Sequence, residues 1–167
     1  MSPPEIRRAV VDDAPGIARV HVDSWAEAYA GIVPAEVTAA RSHEVRLGQW
    51  RETLASEEWL TLVAECGREI VGVSSFEAPA EWDRSAGEAE IRIFYVHPSR
   101  WRSGIGRALM ASTLAALREL SCRSAVLWVM RDNAPARRFY EALGWTPDGS
   151  VGEWAGVPTV RYGLPLA

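Results

Sequence analysis

Between His97 and Met110 the chain reads HPSRWRSGIGRALM, which sets Arg100, Arg102 and Arg107 around Gly104 and Gly106. The preceding AEIRIFYV reads as a strand closed by Pro98, and GIGRALMASTLAALREL reads as a helix. A strand that runs through glycines into a helix offers an anion site. The first N–H groups of the helix have no internal partner, and the helix dipole adds positive potential. The glycines let backbone approach a bulky ligand, and guanidinium groups suit phosphate oxygens. Residues Arg102, Ser103, Gly104, Ile105, Gly106 and Arg107 are therefore the expected cradle of a phosphate-bearing ligand. The alternative is a tight turn with arginines facing solvent.

The surrounding chain narrows the chemistry. It has 167 residues and a net charge of −4, so the positive cluster is local. All 18 basic residues are arginine, which removes lysine-based phosphate loops and Schiff-base chemistry. His21, His43 and His97 are scattered, and no metal-ligand spacing is present, so no metal is expected. Net acidity without a basic stripe argues against nucleic acid as a partner. Cys66 and Cys122 read as free thiols. No apolar run approaches the roughly 18 residues of a membrane span, and MSPPEIRRAV has no apolar signal core. A cytoplasmic protein with no membrane partner is the expectation.

The elements that must position this turn can be read in outline. EIRRAV is a strand, and DDAPGIARVHVDSWAEAYAG a helix capped by Asp12 or Asp13, with Pro15 in its first turn and Gly31 at its end. VPAEV turns into a helical piece that SHEVRLGQWRETLA continues. EWLTLVAE and EIVGVSSFE form a hairpin, and APAEWDRSAGE is a polar loop before the strand at 89–96. On the following helix Ile105, Leu109, Ser112, Ala116 and Leu120 recur on one face. SAVLWVM is a buried strand. NAPARRFYEALG is a helix with Asn133, the sole asparagine, as its cap, and the tail is a β-hairpin. The order predicts one mixed α/β (α+β) domain over residues 1–167.

Two segments in this order carry a resemblance. VHPSRWRSGIGRAL resembles the acyl-CoA-binding signature of the GNAT superfamily of N-acyltransferases, [QR]-x-x-G-x-[GA] after a strand ending V-x-P. NAPARRFYEALGW resembles its second signature, an N-x-x-A-x-x-x-Y helix followed by G-[FW]. SWAEAYAGIVP looks like the acceptor-side helix pair of small bacterial members. Trp101 departs from the signature, standing where Gln or Arg is usual, and Arg102 stands where Gly is frequent. The resemblance implies a mixed, mostly antiparallel, twisted sheet of about six or seven strands with about four helices. It also implies a splayed strand pair that forms an acyl-CoA cleft.

By the same resemblance acetyl-CoA is the cosubstrate. Phe94, Tyr95 and Val96 would meet the acyl carbonyl and pantetheine, and Asn133 the pantetheine. Tyr140 would be the general acid, since a phenol with a reference pKa of about 10 is protonated at neutral pH and can donate to a forming thiolate. Glu90 is either the base that frees the amine or a surface carboxylate paired with Arg92. Strand alternation would put Glu90, Arg92 and Phe94 on one face unless a bulge resets the phase. His21 is a possible second base. Ser24, Trp25 and Tyr29, with the loops near Trp82 and Trp154, would line an acceptor pocket or else be core. Asp23 and Glu27 would favour a cationic acceptor.

The implied reaction is acetyl transfer to a primary amine of a small molecule by direct attack in a ternary complex. A protein N-terminus or lysine is the alternative acceptor, and a non-catalytic acyl-CoA sensor the alternative of another class. A homodimer built through the C-terminal hairpin is also compatible.

Overall fold

The structure, a computed structural model, describes residues 3–77 and 87–166. Seven strands form one sheet: β1 (Glu5–Arg8), β2 (Trp59–Cys66), β3 (Glu69–Glu77), β4 (Glu88–Val96), β5 (Ser124–Met130), β6 (Thr146–Trp154) and β7 (Val157–Pro165). Their order is β1-β2-β3-β4-β5-β7-β6. Every neighbouring pair is antiparallel except β4–β5, which is parallel. The helices are α1 (Ala14–Ala28), α2 (Ala35–Ala39), α3 (His43–Ala55), α4 (Ile105–Glu119) and α5 (Ala134–Ala142). This is the expected mixed, mostly antiparallel architecture, with a short α2 as a fifth helix.

Burial divides the helices between the two faces of the sheet. On one face Ala14, Ile17, Ala18 and Val20 of α1 and Trp50 of α3 pack on Val63, Ile70 and Val73. On the other, Met110 and Leu117 of α4 and Tyr140 of α5 join Phe76, Ile91, Leu127 and Tyr162. Each fully buried Leu or Phe of this kind contributes about 1.5–3 kcal/mol.

Two local expectations change. The α4 core stripe is Ile105, Leu109, Met110, Thr113 and Leu117, in place of Ser112, Ala116 and Leu120, which are only partly buried. Thr113 is tolerated inside because its hydroxyl donates to Leu109 O and shares a second hydrogen bond with the Ser74 hydroxyl, both at 2.9 Å. Asp13 stands at the start of α1 without capping it through its side chain. Its carboxylate instead accepts the Val10 N–H at 2.8 Å and a bidentate pair from Arg7. Arg7 holds the Asp13 carboxyl below the usual carboxylate range.

The feature that positions the site is the parting of β4 from β5. They pair only at Glu88–Ser124, Ala89–Ala125 and Glu90–Val126. Beyond Glu90, β4 continues to Val96 beside β3 alone.

Candidate active site

The glycine turn follows β4 through a 3-10 turn at Pro98–Arg100. Arg102 has φ +60° and Gly104 φ +85°. Alternating left-handed and ordinary residues curve the main chain so that successive N–H groups point inward, the geometry of an anion nest. Among the described residues, none of the N–H groups from Arg102 to Arg107 has a hydrogen-bond partner. The helix begins immediately after, at Ile105, so its dipole adds to the cradle. A Cβ on Gly106 would come within 3.2 Å of the Phe139 ring, so that glycine seats α4 against α5. Arg102 and Arg107 are exposed at the mouth, and Arg100 reaches Glu69 at 3.4 Å. Where a glycine is frequent in the signature, Arg102 accepts a left-handed backbone that costs roughly 1 kcal/mol.

Trp101 has a specific partner. Its indole N–H donates to Val96 O at 2.7 Å, and the same carbonyl accepts from Ser24 Oγ at 3.1 Å. The Trp101 N–H is thus engaged by the main chain of β4. Ser24 is buried and ties α1 to the end of β4.

The direction of the β4 main chain follows from its register. His97 N–H donates to Val71 O at 2.8 Å, and Gly72–Val96 and Ser74–Phe94 face each other in the ladder. By antiparallel alternation, His97, Tyr95 and Ile93 exchange bonds with β3. The N–H groups of Phe94 and Val96 therefore point away from β3, into the gap that β5 leaves open.

A bulge separates Glu90 from Phe94. The register passes from Ser75–Ile93 to Phe76–Ile91, which leaves Arg92 as the extra residue. Ile91 and Phe94 pack in the α4–α5 core, whereas Ile93 and Tyr95 pack against α1 and α3. Glu90 and Phe94 thus lie on opposite faces, correcting simple alternation. The Glu90 carboxylate meets Arg92 at 3.2 Å, and Arg92 also meets Glu77 at 3.2 Å.

Tyr140 is buried among Phe94, Phe139, Trp145 and Tyr162. Its hydroxyl is engaged by no described residue. It is not sealed either, because the sole sealed and unpaired side-chain polar atom among the described residues is Trp145 Nε1. Burial, with Tyr95 beside it, pushes the phenol pKa up, so Tyr140 keeps its proton. Asn133 caps α5 by accepting the Ala136 N–H at 3.3 Å.

On the α1 face an aromatic cluster continues from β4. Trp25 Nε1 donates to the Tyr95 hydroxyl at 2.9 Å. The Trp25 ring meets Tyr29 and Trp154 at centroid distances of 4.6 and 5.2 Å. Burial, followed by the phenols of Tyr95 and Tyr140, raises the Tyr29 pKa. Trp82, expected near this region, lies outside the described residues. Arg41 lies over both Trp25 and Trp154, 4.7 and 4.5 Å from their ring centroids. A groove of about 370 Å³ runs beside this cluster, lined by His21, Arg46, Gln49, Trp50, Trp59, Arg92 and Ile93 among others. Neither acidic residue of α1 enters it: Asp23 turns to His97 at 3.0 Å, and Glu27 is exposed. Of the charged side chains that line it, Arg92 meets Glu77 and Glu90, and Arg46 has no carboxylate partner among the described residues. Arg41, in the link between α2 and α3, and Arg46, on α3, carried no sequence signal, because their surroundings come from elements distant in the chain.

His21 is a packing group rather than a base. Its Nδ1 accepts the Trp50 indole N–H at 3.0 Å, which leaves the ring proton on Nε2. Burial first, then Arg46 and Arg41, lower its pKa to about 3. An unfolded histidine titrates near 6.5. Between about pH 6.5 and 3 the unfolded chain therefore takes up a proton that the folded chain refuses. The His21 contribution is complete above this window and is lost on acidification, by up to about 1.4 kcal/mol per pH unit. Thermal melts from pH 7 to pH 5 should show a falling Tm, with a smaller slope in His21→Phe. An equal slope in the variant would remove His21 as the cause.

Comparison with known proteins adds the following. The model of the acetyltransferase (GNAT) family matches residues 22–145. The uncharacterized N-acetyltransferase YuaI of Bacillus subtilis (strain 168) is 28% identical over 137 residues, spanning 82% of this chain and 77% of that protein. The PaiA N-acetyltransferase of Thermoplasma acidophilum, solved in complex with coenzyme A, superposes with a TM-score of 0.77 at 22% identity, covering 96% and 98% of the two chains. The structure of yncA from Salmonella typhimurium with its cofactor acetyl-CoA gives 0.71 at 23% identity, covering 99% and 95%.

Proposed function

This chain belongs to the acetyltransferase (GNAT) family, and on that premise we propose that it transfers an acetyl group from acetyl-CoA to the primary amine of a small molecule by direct attack. The observation that carries the proposal is the gap beyond Glu90. There the N–H groups of Phe94 and Val96 face the opening, and the Phe94 ring lies 6.4 Å from that of Tyr140, whose hydroxyl has no partner among the described residues. The residues fit the cosubstrate. The nest from Arg102 to Arg107 suits its diphosphate, and the open edge of β4 suits a pantetheine amide pairing as an added strand. The bound thioester supplies an activated acetyl group.

The residues of the chain divide the remaining work. The Phe94 N–H would polarise the acyl carbonyl as negative charge develops on its oxygen. Tyr140 would hold its proton toward the departing sulfur. Glu90 borders the groove through Arg92 and is the candidate to take the proton that the attacking ammonium must lose. No thiol competes as an acyl carrier on the cleft: Cys122 is buried, and that burial raises its pKa. Cys66 ends β2, toward the opposite edge of the sheet. A groove of about 370 Å³ suits a small acceptor rather than a protein chain.

The test is initial-rate kinetics of CoA release from acetyl-CoA over a panel of primary amines. Intersecting double-reciprocal lines are expected, since both substrates must be bound together. Parallel lines or an isolable acetyl-enzyme would overturn direct attack, and an absence of acetyl-CoA binding would overturn the proposal.

A further inference from the structure

Arg41 and Arg46 lack a counter-charge. Among the described residues neither makes an ion pair with a carboxylate. Arg41 is held by the faces of Trp25 and Trp154. The hydrogen bond of Arg46 is to Gln49 Oε1, at 2.9 Å. By contrast, Arg92 in the same groove is neutralised twice, by Glu77 and Glu90.

The two unpaired guanidinium groups converge. Both line an outer groove of about 460 Å³ between α2 and α3, and Arg46 also lines the inner groove with His21 and Ile93. Glu36 lies on the outer groove without pairing with either. Each arginine is half-buried. Burial, followed by the charge of Arg41, lowers the Arg46 pKa. Desolvated cations that repel one another are costly unless an anion joins them. Two indole rings hold the Arg41 guanidinium in place, and no described residue accepts a hydrogen bond from it, which leaves its N–H donors for a carboxylate. His21, with its proton on Nε2, offers the inner groove a further donor and no charge.

We infer that Arg41 and Arg46 form an anion subsite within the acceptor pocket, and that the acceptor is a zwitterion of the α-amino-acid type. They bind its carboxylate, while its amino group lies toward Ile93 and the gap beside Phe94. This rests on the acetyl-transfer reading above and deepens it by naming the acceptor's class.

The test compares α-amino acids with their own carboxamides, which differ only in the anionic group. CoA release gives kcat/KM, and calorimetry follows N-acetylamino acids binding to the protein–CoA complex. At least one amino acid should exceed its carboxamide by about tenfold or more in kcat/KM, as expected for charge-assisted bonds to a carboxylate. Arg46→Gln and Arg41→Gln should each reduce that preference by about tenfold or more, with Arg46→Lys retaining part of it. Acetyl-CoA affinity should move by less than about threefold and Tm should stay close to that of wild type, which a general loss of folding would not allow.

Carboxamides handled as well as the acids, a preference that survives both glutamine substitutions, or no amino acid either turned over or bound as its N-acetyl product would overturn the inference. The last outcome counts only with acetyl-CoA binding intact. Failure of wild type to bind acetyl-CoA would instead remove the acetyl-transfer reading itself, and the two failures are told apart by that one titration.

Discussion

Replacing Tyr140 with phenylalanine should lower kcat by about a hundredfold or more while leaving acetyl-CoA affinity within about threefold. The Tyr140 hydroxyl has no partner among the described residues, so its removal orphans no buried group and should not destabilise the fold. Its pKa is raised by burial, above a reference already about 1.5 units higher than that of a free thiol. Complete transfer of the phenol proton to a thiolate is therefore uphill. Tyr140 is expected to act through a hydrogen bond that strengthens as the sulfur gains charge, which is a kcat effect. Steady-state kinetics, calorimetry with acetyl-CoA and a thermal melt check the three parts. An unchanged kcat would assign the tyrosine to packing with Phe94 and Trp145.

Gly104→Glu should weaken acetyl-CoA binding by about a hundredfold or more, with Gly104→Ala much less affected. The reason is charge rather than bulk. No heavy atom lies within 4 Å of a Cβ built on Gly104, so both side chains have room. Both variants carry the same left-handed strain at φ +85°, worth roughly 1–2 kcal/mol. Only the glutamate places a carboxylate over the unpaired N–H groups of the nest, where it competes with the diphosphate and repels it. Calorimetry on both variants gives the contrast. Equal losses in alanine and glutamate would mean that backbone conformation, not anion binding, is what the position protects.

What the sequence made legible was local. The glycine turn, the helix after it and the Asn133 cap depend on residues a few positions apart, and the structure has them where the pattern put them. The failures depended on partners distant in the chain. Glu90 and Phe94 separate because β3 sets a bulge at Arg92, which no alternation within β4 could reveal. Thr113 is core because Ser74 answers its hydroxyl, so a rule that counts apolar residues passes over it. Ser24 is tied to β4 through the Val96 carbonyl, a partner 72 residues away. Arg41 and Arg46 look like solvated charges until the fold sets Arg41 over Trp25 and Trp154 and Arg46 in the groove with His21.

The three-rung pairing of β4 with β5 has a mechanical consequence. Strands β1 to β4 and β5 to β7 are each knit by long antiparallel ladders, and across the sheet they share only this short seam. Cooperative units separated by so few rungs open semi-independently, so amide hydrogen exchange should divide the sheet at Glu90 rather than run uniformly from edge to edge. A molecule lying along the open stretch touches both units at once. It acts as a suture, and its occupancy sets how far the two halves behave as one body.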